Sequence, residues 1–460
     1  MVQPQQKEQV VSLVGVVALA LSLPILLRVL NTVTRFLVGA EGRLAAVAVE
    51  TDHPLGVMPA PWRSLAQGGE ELKTFLDNTG GQVAAVRPAY IRIDHIYDGF
   101  NVVSRDGGGL QFNWTELDSL VDKIQATGAM PFFSLSYMPP AISKGDIVSE
   151  PKDYNEWALV VQRTIEHYSR DKGLAEVYYE VWNEPDLFGE WKMGGNKDYK
   201  KLYLYAARGA AAATGVQNFK LGGPGTTGLY KNWMDGFFPY ILENRIRLDF
   251  FSWHRYDLDI DKYTEDVENV QRWVDSHPYF ANVEKIITEL GPSSDKAEVN
   301  EGKIGAAHVI ATARELMFRI KYGFNFSIKD APDSKGGWGI ITNGGQTKPR
   351  YAALAFLSKL GGERLAVTGE GTWVRAIAGM KDNAYQVLLV NYDRAGTHSE
   401  VVPVSFINLT PGNFLLKQTM LGGGTVQNEV ATTEAILQRQ VPMTPNSAVL
   451  LELTAAAVKP

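Results

Sequence analysis

Two glutamates stand where apolar runs give way to polar ones. One closes Val181-Trp182-Asn183-Glu184-Pro185 and the other closes Ile287-Thr288-Glu289-Leu290-Gly291. A pair of carboxyls converging on one bond is what glycoside cleavage requires: one protonates the departing oxygen while the other attacks the anomeric carbon or activates water. The spacing tells the two outcomes apart, about 5–5.5 Å for retention against about 6.5–9.5 Å for inversion. Which glutamate takes which part is left open by the residues alone.

Elements able to bring such distant residues together can be read from the alternation of short apolar runs with longer helical patterns between residues 50 and 360. The runs Leu55–Met58, Tyr90–Ile93, Pro131–Leu135, Val177–Trp182, Lys220–Gly223, Asp249–Trp253, Lys285–Thr288 and Phe324–Ile328 read as strands. Tyr154–Ser169, Asp198–Ala213, Val267–Ser276 and Ile304–Ile320 carry helical periodicity. Eight such units predict a (β/α)8 TIM barrel, whose active site lies at the C-terminal strand ends. Both glutamates fall there. After residue 362 the texture becomes short strands and turns, among them Pro411-Gly412 and Gly422-Gly423-Gly424, and predicts an antiparallel β-sandwich to residue 460. Arg43–Val49 adds a candidate strand to it. The expected domains are therefore an anchor and linker over 1–42, a barrel over 43–361 and a sandwich over 362–460.

The anchor rests on Val10–Leu27, an uncharged stretch with two serines, closed by Arg28 and long enough to span a bilayer. Its flanks conflict with the chemistry. Lys7 precedes it, while Arg28, Arg35 and Arg43 follow, which by the positive-inside rule places the barrel in the cytoplasm. A glycan-cleaving domain is expected on the other side, and the extracytoplasmic placement is preferred here. Oligomeric state is not legible.

Composition narrows the partners. A net charge of -6 argues against nucleic acid, whose phosphates demand a basic face. The absence of cysteine excludes disulfides and thiol chemistry. Two-carboxylate chemistry needs no metal or other cofactor, and no convergent His/Asp ligand set is apparent. Ten tryptophans and 19 tyrosines suit either a core or the stacking of sugar rings.

The motifs together resemble the large clan of retaining (β/α)8 glycosidases with Asn-Glu-Pro at the fourth strand, most closely glycoside hydrolase family 39. Val181–Leu187, Leu221-Gly222-Gly223-Pro224, Phe251–Tyr256 and Met138-Pro139-Pro140 carry the resemblance. It implies that Glu184 is the acid/base and Glu289 the nucleophile, that Asn183 bonds the sugar 2-hydroxyl, that Tyr256 orients the nucleophile, and that His254 forms a pocket wall. Arg92 reads either as the cation that holds Glu289 ionised or as a structural partner of Glu180 or Asp94. Trp338 reads as the floor under the sugar or as a hydrophobic plug, and Trp191 as a platform for a neighbouring sugar.

Family xylosidases tend to carry Arg-Phe-His-Gly at the second strand. Here it is Arg92-Ile93-Asp94-His95. That departure, with the anchor, leans toward the branch resembling this family that cleaves exopolysaccharide or cell-envelope glycan. The competing expectations are a membrane-tethered carbohydrate-binding protein on an inactive barrel, and a family 5-like endoglucanase or a transglycosidase. Retention of both glutamates disfavours the first, and the C-terminal sandwich disfavours a family 5-like enzyme.

Overall fold

The computed structural model describes residues 42–332 and 337–456. The expected membrane span and linker lie outside these residues. Among the described residues, no helix is long and apolar enough to cross a membrane.

Eight parallel strands close into a barrel: Ser64–Gln67, Tyr90–Ile93, Met130–Leu135, Val177–Val181, Phe219–Thr226, Phe250–Tyr256, Glu284–Gly291 and Tyr322–Phe326, with the last pairing onto the first. Seven match the expected runs. The first does not. Leu55–Met58 belongs mostly to a long strand elsewhere, where Leu55 is 47% and Val57 85% exposed. The true first strand, Ser64-Leu65-Ala66-Gln67, is buried throughout. It is short and half polar, so its apolar signal is weak, and an exposed leucine and valine supplied a stronger one.

Alternation along the strands fills the barrel in layers. Tyr90, Phe132, Tyr178, Phe250, Ile286 and Phe324 form a closed apolar plug with Ala66. The fifth strand contributes Gly222 at this level. A Cβ there would overlap the Phe250 carbonyl oxygen and crowd its ring. Two residues further along, the same inward faces become polar: Arg92 follows Tyr90, Ser134 follows Phe132, Glu180 follows Tyr178 and Ser252 follows Phe250. All four side chains are buried. The period of two thus sets a charged layer directly on the aromatic plug.

Outer helices begin where the sequence supplies caps. Asp153, Asp198 and Asp259 each accept a hydrogen bond from the backbone N–H two residues on, starting Tyr154–Glu166, Tyr199–Ala212 and Ile260–Asp275.

The remaining strands form one nine-stranded sheet, counted among the described residues, which supplies the β-sandwich. Val47–Val57 inserts between Glu363–Thr368 and Glu400–Ile407, pairing antiparallel with the first and parallel with the second. The sheet is therefore mixed, where an antiparallel one was expected, because a strand from the N-terminal side enters it. Residues 47–57 serve this sheet although they lie within the segment assigned to the barrel. Strand alternation gives the sheet two apolar faces. Ile377, Leu388, Val390, Ala448 and Leu450 join the barrel's core, while Ala376, Val387, Leu389, Val449 and Leu451 join the sheet's own. Ion pairs Arg314–Glu370 and Arg375–Glu315 cross between the two units.

Gly222→Ala is expected to cost on the order of 1–3 kcal/mol through overpacking, read as a lowered midpoint in thermal unfolding. An unchanged midpoint would contradict the packing described for the plug.

Candidate active site

The charged layer converges on one guanidinium. Arg92 is buried, and each arm has its own acceptor. Nε donates to Glu180 Oε2 at 2.8 Å, Nη1 to Glu289 Oε1 at 2.9 Å and Nη2 to Asn183 Oδ1 at 2.7 Å. Arg92 therefore bridges the buried Glu180 and the rim Glu289. It does not line the cleft, so it does not itself touch substrate. Ser252 Oγ completes the Glu180 carboxylate at 2.6 Å. Burial opposes the guanidinium's charge, but the surrounding Glu180, Glu289 and Asp94 carboxylates more than offset it and keep Arg92 charged.

Glu289 receives a second donor from Tyr256, whose hydroxyl lies 2.7 Å from Oε2. Burial and the adjacent Glu289 raise the Tyr256 pKa, so the phenol keeps its proton and donates. For Glu289 itself, burial is the largest influence and pushes its pKa up. His254 and Arg92 pull it down, Glu184 pushes it up, and the balance lies above the ordinary carboxylate range.

Glu184 sits where the fourth strand ends in two residues of left-handed backbone, Trp182 (φ 76°) and Glu184 (φ 45°). Its N–H donates to Gly225 O at 2.9 Å, which ties it to the fifth strand. His254 Nδ1 lies 2.8 Å from Glu184 Oε1 and 3.5 Å from Glu289 Oε2. Burial opposes protonation of this imidazole, yet Glu289 and Glu184 raise its pKa overall. His254 is fully buried behind the two acids, so it supports them and does not form the expected pocket wall.

One side-chain atom each from Glu184, His254 and Glu289 lie within 4.8 Å of one another. One oxygen of Glu184 and one of Glu289 thus approach within 4.8 Å, which is compatible with the roughly 5–5.5 Å carboxyl spacing of retaining enzymes. The same three residues form a His/Glu cluster that sequence reading did not foresee. They fit a resident cation poorly, because Arg92 already occupies Glu289 and His254 Nδ1 is engaged by Glu184.

A cleft of about 890 Å³ opens over the pair. Asn183, Asp94, Tyr256 and Trp338 line it, as do Tyr137 and His95. Asn183 is fixed at both ends, its oxygen by Arg92 and its Nδ2 by donation to Tyr137 Oη at 2.9 Å. Trp338 follows the last strand. Its indole donates to Ser294 O at 2.9 Å and its ring packs on Phe326 at 6.0 Å. It is a wall of the cleft and not a sealed plug.

Trp191 is the clear correction. It is 1% exposed, its ring stands edge-on to Trp182 at 5.4 Å, and its backbone N–H donates to Pro185 O. It props the turn that carries Glu184 from below and offers no sugar platform. Proximity in sequence to the acid was a poor guide, because the turn folds the indole under itself. Tyr137 was missed although it immediately precedes the Met138-Pro139-Pro140 motif. Arg255 lies within the Phe251–Tyr256 run but was given no role there; it lines the cleft while paired with Asp266.

A parallel barrel whose strand ends bring two carboxylates this close over an open cleft defines a glycoside hydrolase. The model of Glycosyl hydrolases family 39 matches residues 47–392, and the chain belongs to that family. It is 29% identical over 342 residues to a beta-xylosidase of Geobacillus stearothermophilus, covering 64% of this chain and 66% of that one. It is 26% identical over 366 residues to a beta-xylosidase of Caldicellulosiruptor saccharolyticus, covering 72% of each. The chain thus spans about two thirds of the first relative's length. The crystal structure of a monomeric beta-xylosidase from Caulobacter crescentus CB15 superposes with a TM-score of 0.77. That match has 19% identity over 90% of this chain and 100% of the other, and it bears on the fold.

Arg92→Lys keeps the charge but cannot serve three acceptors. It is expected to lower kcat/KM roughly 10²-fold by misplacing Glu289. Because Glu289 loses a stabilising donor, the acidic limb of the pH profile should move to higher pH. An unmoved limb would show that Arg92 does not govern Glu289.

Proposed function

We propose that the chain hydrolyses O-glycosidic bonds of a poly- or oligosaccharide by double displacement. Glu289 attacks the anomeric carbon. Glu184 protonates the departing oxygen and then takes a proton from the water that releases the sugar. The observation that carries this reading is the contrast between two carboxylates within 4.8 Å. Glu289 is held by two donors, Arg92 and Tyr256, which favour the anion a nucleophile must be. Glu184 has one side on His254 and the other toward the cleft, which suits a group that gives and recovers a proton.

Asn183 is taken to bond the sugar 2-hydroxyl, since Arg92 and Tyr137 fix its amide. Asp94 is a hydrogen-bond acceptor for another hydroxyl, and Trp338 packs on the apolar face of the ring. The named activity of the two relatives makes xylose the first sugar to test. Asp94, standing where family xylosidases tend to have histidine, supports a different glycan, and exopolysaccharide or cell-envelope polysaccharide is preferred. The apolar run Val10–Leu27 supports anchoring in a membrane, and the glycan substrate, against the flanking charges, favours the barrel on the extracytoplasmic side.

On a panel of 4-nitrophenyl glycosides, Glu289→Gln should abolish turnover with the fold intact by circular dichroism. Glu184→Gln should cost about 10²–10⁴-fold on poor leaving groups and less on good ones. Undiminished turnover by Glu289→Gln would overturn the assignment. For wild type, the acidic limb of kcat/KM should lie above the ordinary carboxylate range, because the nucleophile's raised pKa means activity is lost earlier as pH falls. A limb within the ordinary range would contradict the burial described for Glu289.

A further inference from the structure

Two buried cations stand at the unfavourable end of a helix. Lys348 and Arg350 flank Pro349 at the start of Pro349–Leu357, the outer helix that follows the eighth barrel strand. The first turn of a helix carries partial positive charge and favours anions. A cation held there away from water opposes both the helix dipole and its own hydration, so something other than helix formation must account for it.

Lys348 has an ordinary account. Its ammonium lies 2.5 Å from Asp330 and 2.7 Å from Glu301. Arg350 does not. Among the described residues it forms no ion pair, and its Nε has no acceptor. Burial pushes its pKa down to about 10, which leaves it charged at neutral pH. Its other two nitrogens hold backbone carbonyls: Nη1 donates to Trp338 O at 2.9 Å and Nη2 to Phe326 O at 2.7 Å. Arg92, by contrast, is compensated by two carboxylates.

The two carbonyls belong to the wall of the cleft. Phe326 ends the eighth strand, and both Phe326 and Trp338 line the opening. The Phe326 ring stands 6.0 Å from Trp338 and 6.4 Å from Tyr256, the donor to Glu289. Arg350 lies behind this trio and outside the cleft lining. A Cβ on Gly291 would meet the Tyr256 ring at 3.2 Å and Arg350 Nη2 at 3.9 Å, so the guanidinium and the phenol ring are close neighbours. We propose that Arg350 is a positioning residue: by gripping the Phe326 and Trp338 carbonyls in one planar fork, it sets the Trp338 ring against the sugar whose glycosidic bond is cut. The proposal rests on the reading of Trp338 as packing on that sugar. Filling space alone would be served by an apolar side chain without desolvating a charge, whereas two carbonyls held in a fixed relation require the fork.

The test is a double-mutant cycle in the full-length protein. Arg350→Met removes the fork at similar length, and Trp338→Ala removes the ring it places. Substrates are the 4-nitrophenyl and 2,4-dinitrophenyl glycosides of the donor sugar that wild type cleaves best. Arg350→Met should lower kcat/KM about 10–10²-fold, equally on both leaving groups, because proton donation by Glu184 is untouched. In the Trp338→Ala background the same change should cost no more than about twofold, since the ring is already gone. Arg350→Lys keeps the charge without the fork and should fall between, with the same coupling to Trp338. Losses that multiply in the double variant would show that Arg350 acts elsewhere. A loss confined to the 4-nitrophenyl substrate would place its action on Glu184. A lowered unfolding midpoint with unchanged kcat/KM, or failure of both Arg350 variants to fold, would make it a residue of the fold alone. Each of these overturns the proposal. If wild type cleaves no glycoside of the panel, the proposed activity fails and this role with it. That result is distinct from an active enzyme indifferent to Arg350→Met.

Discussion

Three oxygen acceptors, on Glu180, Asn183 and Glu289, compete for one guanidinium with no access to water. Two of them carry charge. Buried carboxylates are tolerated only when paired, and removing the shared cation would leave both uncompensated at a cost of roughly 3–5 kcal/mol. The rigid fork of Arg92 answers that constraint and fixes geometry as it does so. Because its three arms point in set directions, the Glu289 oxygen and the Asn183 amide are placed relative to each other by one planar group. Tyr256, Tyr137 and Ser252 then satisfy what Arg92 cannot reach. The site is positioned from beneath by hydrogen bonds whose partners are themselves held.

The barrel makes this possible by stacking. Aromatic rings seal its lower half, so the polar layer above rests on a surface that water cannot enter. The same strands that place Tyr90, Tyr178 and Phe250 in the plug place Arg92, Glu180 and Ser252 two residues higher. Two further on, the strands reach Asp94 and His254 at the rim. The nine-stranded sheet lends its Ile377, Leu388 and Val390 face to the barrel's outer core and takes no part in the cleft lining.

Much of this was legible in the sequence because the inward-facing charges are anomalous. Arg92 and Glu180 interrupt apolar strands, and Glu184 and Glu289 end them, so composition, strand period and barrel topology agree on where they meet. The first strand was not legible, since Ser64–Gln67 is short and half polar while the exposed Leu55 and Val57 imitate a buried run. Trp191 misled for a related reason: sequence gives its distance along the chain from Glu184 but not the turn that folds it underneath. His254 lay one step away. Its family likeness suggested a wall, whereas in the structure it bridges the two acids from behind.

The central claim is that the two acids act on one anomeric carbon as nucleophile and proton donor, so that a covalent intermediate intervenes. The anomeric configuration of the first-formed sugar, followed by proton NMR before mutarotation, tests this most directly. The account predicts that the product keeps the configuration of the bond that was cut. A product of opposite configuration would contradict it, because single displacement by water forms no covalent intermediate on Glu289 and inverts the anomeric carbon.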